Sequence, residues 1–230
     1  MLDTGDALIG GGILGDLTQG EVIVAGMNQM GYDAMALGPK ELSLGLDVLR
    51  LRLAEAEFPI VSANVVDTAT GELLVPPHVV LDVGPYRVAV VGLTRVPDAD
   101  LRGVRVLPPA EVAPAAVAAA AAGADLVILL ANLSFKSAQS LLANLPQVDL
   151  LVGALPGQLP AQAARVPGTS ALAVTAEQPM ERHTGRRVGR LAVTLNPGGT
   201  LGHEQWSSIS ITPDIQDDVE MRALLDTFRP

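Results

Sequence analysis

Two runs in this chain, "YRVAVVGLT" (residues 86–94) and "DLVILLA" (125–131), are apolar at nearly every position. A strand that buries one face alternates apolar and polar residues, whereas a strand buried on both faces has no reason to alternate. Both runs therefore demand a sheet covered on each side. The segments between and around them carry the cover. Leu46, Leu49, Leu53 and Ala56 recur at helical spacing ahead of Pro59, and "PIVSANV" follows as a strand. An alanine-rich helix near 110–122 leads through Gly123 into the strand at 125–131, and a helix near 136–144 leads into "VDLLVGA" (148–154). The expectation is an α/β chain of mixed sheets flanked by helices, in one domain over residues 1–230.

Other elements follow from local signals. Thr18 and Glu21 are spaced as a capping box for a helix over about 19–30, with Gly31 as its stop. "HVVLDV" (78–83) and the run at 86–94 form a hairpin through Gly84 and Pro85, and "ALAVTA" (171–176) is a further strand. Near the end, a strand over 187–195 turns at Pro197 to Gly199 into a second strand, and Asp214 opens a last amphipathic helix.

Composition narrows the function. With 49% hydrophobic residues in 230, the chain can bury a large core without disulfides, and it has no cysteine. A net charge of -10 argues against a nucleic-acid partner, which draws on clustered Lys and Arg. The basic cluster Arg182, Arg186, Arg187 and Arg190 reads as a solvated turn and strand edge. The longest apolar stretch, 113–131, is broken at Gly123 and Asp125 and changes period there, so no membrane span is expected. No charged segment followed by an apolar one marks the amino terminus as a signal peptide, and the compartment stays open.

"GGGILG" satisfies G-x-G-x-x-G through Gly10, Gly12 and Gly15, but the context is wrong for a dinucleotide fingerprint. Barely nine residues precede it, and Asp33 opens its strand instead of closing it. A flexible loop after an aspartate is the better reading.

The string "LDTGDALIGG…GEVIVAGMNQMGYDAMALGPKELSLGLDVLRLRLAEAEFPIVSANV" resembles the amino-terminal domain of 5'-nucleotidases and related calcineurin-like metallophosphoesterases. The similarity continues through "VVGLT", "DLVILLANLS", "VDLLVGALPGQ" and "GRRVGRLAVTL". It implies two mixed β-sheets packed face to face and flanked by helices, a four-layer sandwich, here with the first strand missing. It also implies a pair of divalent metals held by Asp, Asn and His from loops at strand ends. Of the family's motifs, D-x-H has no counterpart. The Gly-Asp motif is present as Gly5 and Asp6, while Gly-Asn-His-Glu reads Gly38, Pro39, Lys40 and Glu41. Ser-His-Leu-Gly reads Ala131, Asn132, Leu133 and Ser134, and Gly-Gly-His-Ser-His reads Gly153, Ala154, Leu155, Pro156 and Gly157. His78, His183 and His203 fall outside all of these.

Leucine, proline and glycine cannot replace amide or imidazole ligands. The expected protein is therefore a degenerate, non-catalytic one serving binding, assembly or regulation, with no cofactor. Its degenerate site comprises Asp6, Lys40, Glu41 and Asn132, with Asp6 and Asn132 the surviving metal ligands if any. Lys40 is expected to neutralise Asp6 in the metals' place. A small anion or nucleotide would use Asp6, Gly10, Gly12, Lys40, Asn64 and Asn132. The missing strand would leave an open sheet edge and drive homo-oligomer formation. The alternative is a phosphohydrolase of nucleotides or other phosphate monoesters with an altered or partner-completed divalent metal site holding a manganese, zinc or magnesium pair. The resembled family is often periplasmic or extracellular.

Overall fold

A computed structural model describes residues 1–98, 101–153, 163–175, 187–196 and 200–229. Its first half holds β1 (Leu2–Asp3), α1 (Ile13–Leu17), α2 (Glu21–Gln29), β2 (Ala34–Ala36), α3 (Pro39–Ser43), α4 (Leu46–Glu55), β3 (Ile60–Val61) and β4 (Val65–Asp67). Then come β5 (His78–Val83), β6 (Tyr86–Leu93), β7 (Val104–Val106), α5 (Pro109–Ala121), β8 (Leu126–Ala131) and α6 (Phe135–Leu142). The chain ends with β9 (Leu150–Gly153), β10 (Ala163–Arg165), β11 (Leu172–Val174), β12 (Arg187–Leu195), β13 (Leu201–Ser210) and α7 (Val219–Thr227).

Two sheets carry the architecture: a parallel one ordered β1-β2-β3, and a six-stranded mixed one ordered β10-β11-β9-β8-β6-β5. Strand alternation sorts the core. In β8, Val127, Leu129 and Ala131 face α5 and α6 with Ala113, Val117 and Leu142. Leu126, Ile128 and Leu130 on its other face meet Ala34 and Ala36 of β2, with Trp206 of β13 packed alongside. The far side of the small sheet packs Met35 and Leu37 on Val24, Met27, Leu42 and Leu49 from α2, α3 and α4. The layers thus run helix, sheet, sheet, helix, as the doubly apolar runs require.

Several boundaries differ from the sequence reading. The Thr18 hydroxyl donates back to the Leu14 carbonyl at 2.8 Å, closing α1, and also accepts the Val22 N–H in the first turn of α2 at 3.4 Å. Helix α2 starts instead after Gly20, at φ 86. The "PIVSANV" strand is two strands, because Ser62 and Asn64 leave the ladder to bond across the core. Asp214 does not cap α7; Asp218 does, accepting the Met221 N–H at 2.9 Å. The turn expected at Pro197 to Gly199 lies outside the described residues, as do His183, Arg182, Arg186 and all of 154–157.

Candidate functional site

The loop after β1 and the loop after β2 meet at the carboxyl end of the small parallel sheet, where such folds place ligands. They meet closely. A Cβ on Gly38 would stand 2.4 Å from Asp6 Oδ1, and one on Gly5 would stand 2.5 Å from the Gly38 nitrogen. Gly5 and Asp6 both take positive φ, 86° and 64°, and a left-handed aspartate is an uncommon conformation that a surrounding network must hold.

Glu41 supplies that network. It is the third residue of α3, wholly buried, and its Oε2 accepts the N–H of Gly38 and of Asp6, each at 2.8 Å. Its Oε1 accepts the Leu8 N–H at 3.0 Å. One side chain thus ties both loops together and caps its own helix. Burial pushes its carboxyl up to about 7, against the three N–H donors that pull it down, with Asp6 adding repulsion. Asp3, on β1, is likewise pushed up to about 6, first by burial, while the Gly5 N–H lowers it and Asp6 raises it.

Asp6 is engaged on both oxygens. Oδ1 accepts the Lys40 backbone N–H at 2.8 Å, and Oδ2 accepts Asn132 Nδ2–H at 3.0 Å. Asn132 reaches it from the end of β8, held by its own N–H on the Leu93 carbonyl at 3.1 Å. The sequence reading of Lys40 needs correction: its side chain is exposed and makes no ion pair with Asp6. The ammonium lies beside Gly10 instead, where a Cβ would be 3.1 Å from Nζ. Backbone N–H, not ammonium, meets the carboxylate.

Of the remaining candidates, Gly10 donates to Asp16 Oδ1 at 2.6 Å, and Gly12 precedes α1 with open space where a Cβ would be. Asn64 is fully buried away from this cluster. Its Nδ2 donates to the carbonyls of Thr94 and Leu107 at 2.7 and 2.9 Å. Its Oδ1 accepts from the Thr94 N–H and the Ser62 hydroxyl at 2.9 and 3.1 Å, which fills its capacity. Thr94 in turn donates its hydroxyl to the Leu37 carbonyl at 2.7 Å, just before Gly38. Sequence reasoning missed this ladder, although buried Ser, Asn and Thr at strand ends were its visible sign.

A metal pair does not fit these residues. A dinuclear centre needs several free oxygen or imidazole donors around a bridging carboxylate. Here Asp6 spends an acceptor on each side, Glu41 is sealed from solvent, and Asn132 aims its donor at Asp6. Among the described residues no three His, Asp or Glu side chains converge as a metal site.

The comparisons with known proteins agree with the architecture. No family model matches the chain. It is 44% identical over 79 residues to the 5'-nucleotidase of Vibrio cholerae, covering 34% of this chain and 14% of that protein. Over the same length it is 43% identical to protein UshA of Escherichia coli, with the same coverage. The matched segment thus covers about a seventh, 14%, of the length of these curated relatives. Among solved structures, the 5'-nucleotidase precursor of Thermus thermophilus aligns with 28% identity and a TM-score of 0.82, over 99% of this chain and 48% of that one. The sulfate thiohydrolase SoxB of the same organism gives 25% and 0.83, over 99% and 42%. The chain carries the amino-terminal, 5'-nucleotidase-type domain of the calcineurin-like metallophosphoesterases, a family of metal-dependent enzymes.

Proposed function

We propose that this metallophosphoesterase-type chain is non-catalytic and that its fold serves binding, assembly or regulation. One observation carries the reading: the carboxylate that would bridge two metals is engaged by the chain itself on both oxygens, through the Lys40 N–H and the Asn132 amide, with no metal-holding cluster of His, Asp or Glu beside it among the described residues. Each oxygen keeps a further lone pair, but one carboxylate outside any such cluster does not supply the donors a dinuclear centre needs. The inactive reading is tested on the purified full chain by metal analysis together with phosphate release from para-nitrophenyl phosphate in manganese. Substoichiometric metal and no release above buffer are expected. Two bound cations per chain, or turnover abolished by Asp6→Asn, would reject it.

The match to a 5'-nucleotidase over 79 residues favours a second reading, a phosphohydrolase acting on phosphate monoesters with ligands supplied by a partner chain. It predicts that added metal raises activity steeply with protein concentration, which the first reading forbids.

A further inference from the structure

A second feature, on another part of the surface, does not depend on the reading of Asp6. A groove of about 370 Å³ runs beside β7, between Thr68, Val96, Pro97, Leu101 and the strand itself. Arg102 and Arg105 line it, and Arg95 directly precedes Val96. All three arginines are exposed, and none makes a hydrogen bond or ion pair with a described residue. Arg190 is likewise exposed and without a described side-chain partner, so what marks this place is the clustering of three such groups beside one groove. Arg50, Arg52, Arg165, Arg222 and Arg229 each hold a carboxylate, and the net charge of -10 makes acids plentiful. The groove also borders an open edge, since β7 has a strand neighbour, β4, on one side only among the described residues.

The complement of this groove is present in the same chain. Residues 211–218, "ITPDIQDD", carry three aspartates and no base, and every one of them is exposed. Ile211 and Ile215 are 46% and 49% exposed, unusual for isoleucine, and stand four residues apart with Asp214 between them. Asp217 is held by Arg222 and Asp218 caps α7, so the segment is anchored at one end while Asp214 makes no described bond. An apolar floor with unpaired guanidinium groups on one surface and an acidic, isoleucine-bearing segment on another are matching halves of a contact.

We propose that the β7 groove receives the acidic segment 211–218 of a second copy of this chain. Arg102 and Arg105 take the Asp214 end of the segment, and Ile215 covers Val96 and Leu101. Each copy carries both halves, so the contact is between unlike patches and can extend from copy to copy. Guanidinium groups suit this role because their planar donors meet carboxylates in pairs. The attraction is one between exposed charges and weakens with salt.

Sedimentation velocity on the full chain tests the contact, over a range of protein concentrations at low and high salt. The expected result is a mass that rises with concentration and falls back toward the monomer in high salt. The variants Arg102→Glu/Arg105→Glu and Asp214→Arg/Ile215→Ser should each lose association by at least about tenfold. An equimolar mixture of the two should recover it, because one retains the segment and the other the groove. A wild-type monomer at every concentration overturns the proposal, and so does either variant associating as wild type does. All four substitutions are at exposed positions, and a labelled peptide of residues 208–220 titrated onto the wild-type chain gives an independent reading. Salt-sensitive binding of that peptide supports the contact; no binding overturns it.

Discussion

The two sheets of this molecule lie against each other and are held together in different ways. The six-stranded sheet is bonded by long ladders, with six consecutive register pairs joining β6 to β8, and it buries apolar side chains on both faces. The small sheet has only two register pairs at each of its junctions. What fixes the chain around it is a set of buried polar side chains bonded to distant backbone: Glu41 to residues 6, 8 and 38, Thr94 to Leu37, and Asn64 to residues 94 and 107. In a region stitched in this way the loops are drawn together by hydrogen bonds to protein side chains.

The contrast can be broken at its most loaded point. Glu41→Ala would leave three buried N–H groups without an acceptor and should cost about 4 kcal/mol, read as a shift of the urea midpoint. Leu129→Ala, in the middle of the large sheet, should cost about 3 kcal/mol by cavity formation. If Leu129 proves far costlier than Glu41, the stitching is secondary and the comparison fails. Asn64→Ala removes four neutral bonds and should cost about 2 kcal/mol, with its effect seen as faster amide exchange at Thr94 and Leu107.

Titration sharpens the same point. Because the Glu41 carboxyl is pushed up from 4.5 to about 7 in the folded chain, the folded state holds its proton more tightly than the unfolded one. Its stabilising share is full below the ordinary glutamate range and is lost as pH rises through about 7. The stability gap between wild type and Glu41→Gln should therefore narrow between pH 5 and pH 8, measured by chemical denaturation at fixed ionic strength. A gap that widens with pH would mean that the buried carboxylate is favoured as an anion. The smallest effect expected is that of metal removal: dialysis against EDTA should move the melting temperature by less than about 1 °C. A shift of several degrees would place a cation in the fold.

Much of the large sheet was legible in the sequence because its evidence is local. The hairpin of β5 and β6, the doubly apolar β8 and the helix before it follow from apolar pattern and turn residues within a short window. The small sheet was less legible. Strands of two or three residues have no period to detect: β1 in the small sheet carries none, and neither do β7 in its pair with β4 nor β10 at the edge of the large sheet. Thr18 serves both the helix before it and the one after it, donating to Leu14 and accepting from Val22, and the left-handed Gly20 sets where α2 begins. Around the site, the family motifs placed Asp6 and Asn132 together as candidate metal ligands, but not the hydrogen bond that Asn132 donates to Asp6. The role of Glu41 was not, because its partners are backbone groups, and the loop at 6–8 comes within reach only once the chain is folded. Lys40 was misplaced for a related reason: adjacency to a motif tells where a residue starts, while its long side chain follows the open space toward Gly10.

The near-contact of Gly5 with Gly38 has a consequence for anyone diversifying this protein. In a saturation library, positions 5 and 38 should return glycine almost alone, whereas 39 and 40, between an invariant neighbour and the sealed Glu41, should accept broad substitution at their half-buried and exposed side chains. The loop at 39 and 40 is thus a place where new side chains can be grafted, provided that the bare α-carbons of Gly5, packed on the Gly38 backbone, and of Gly38, packed on Asp6, are left as they are.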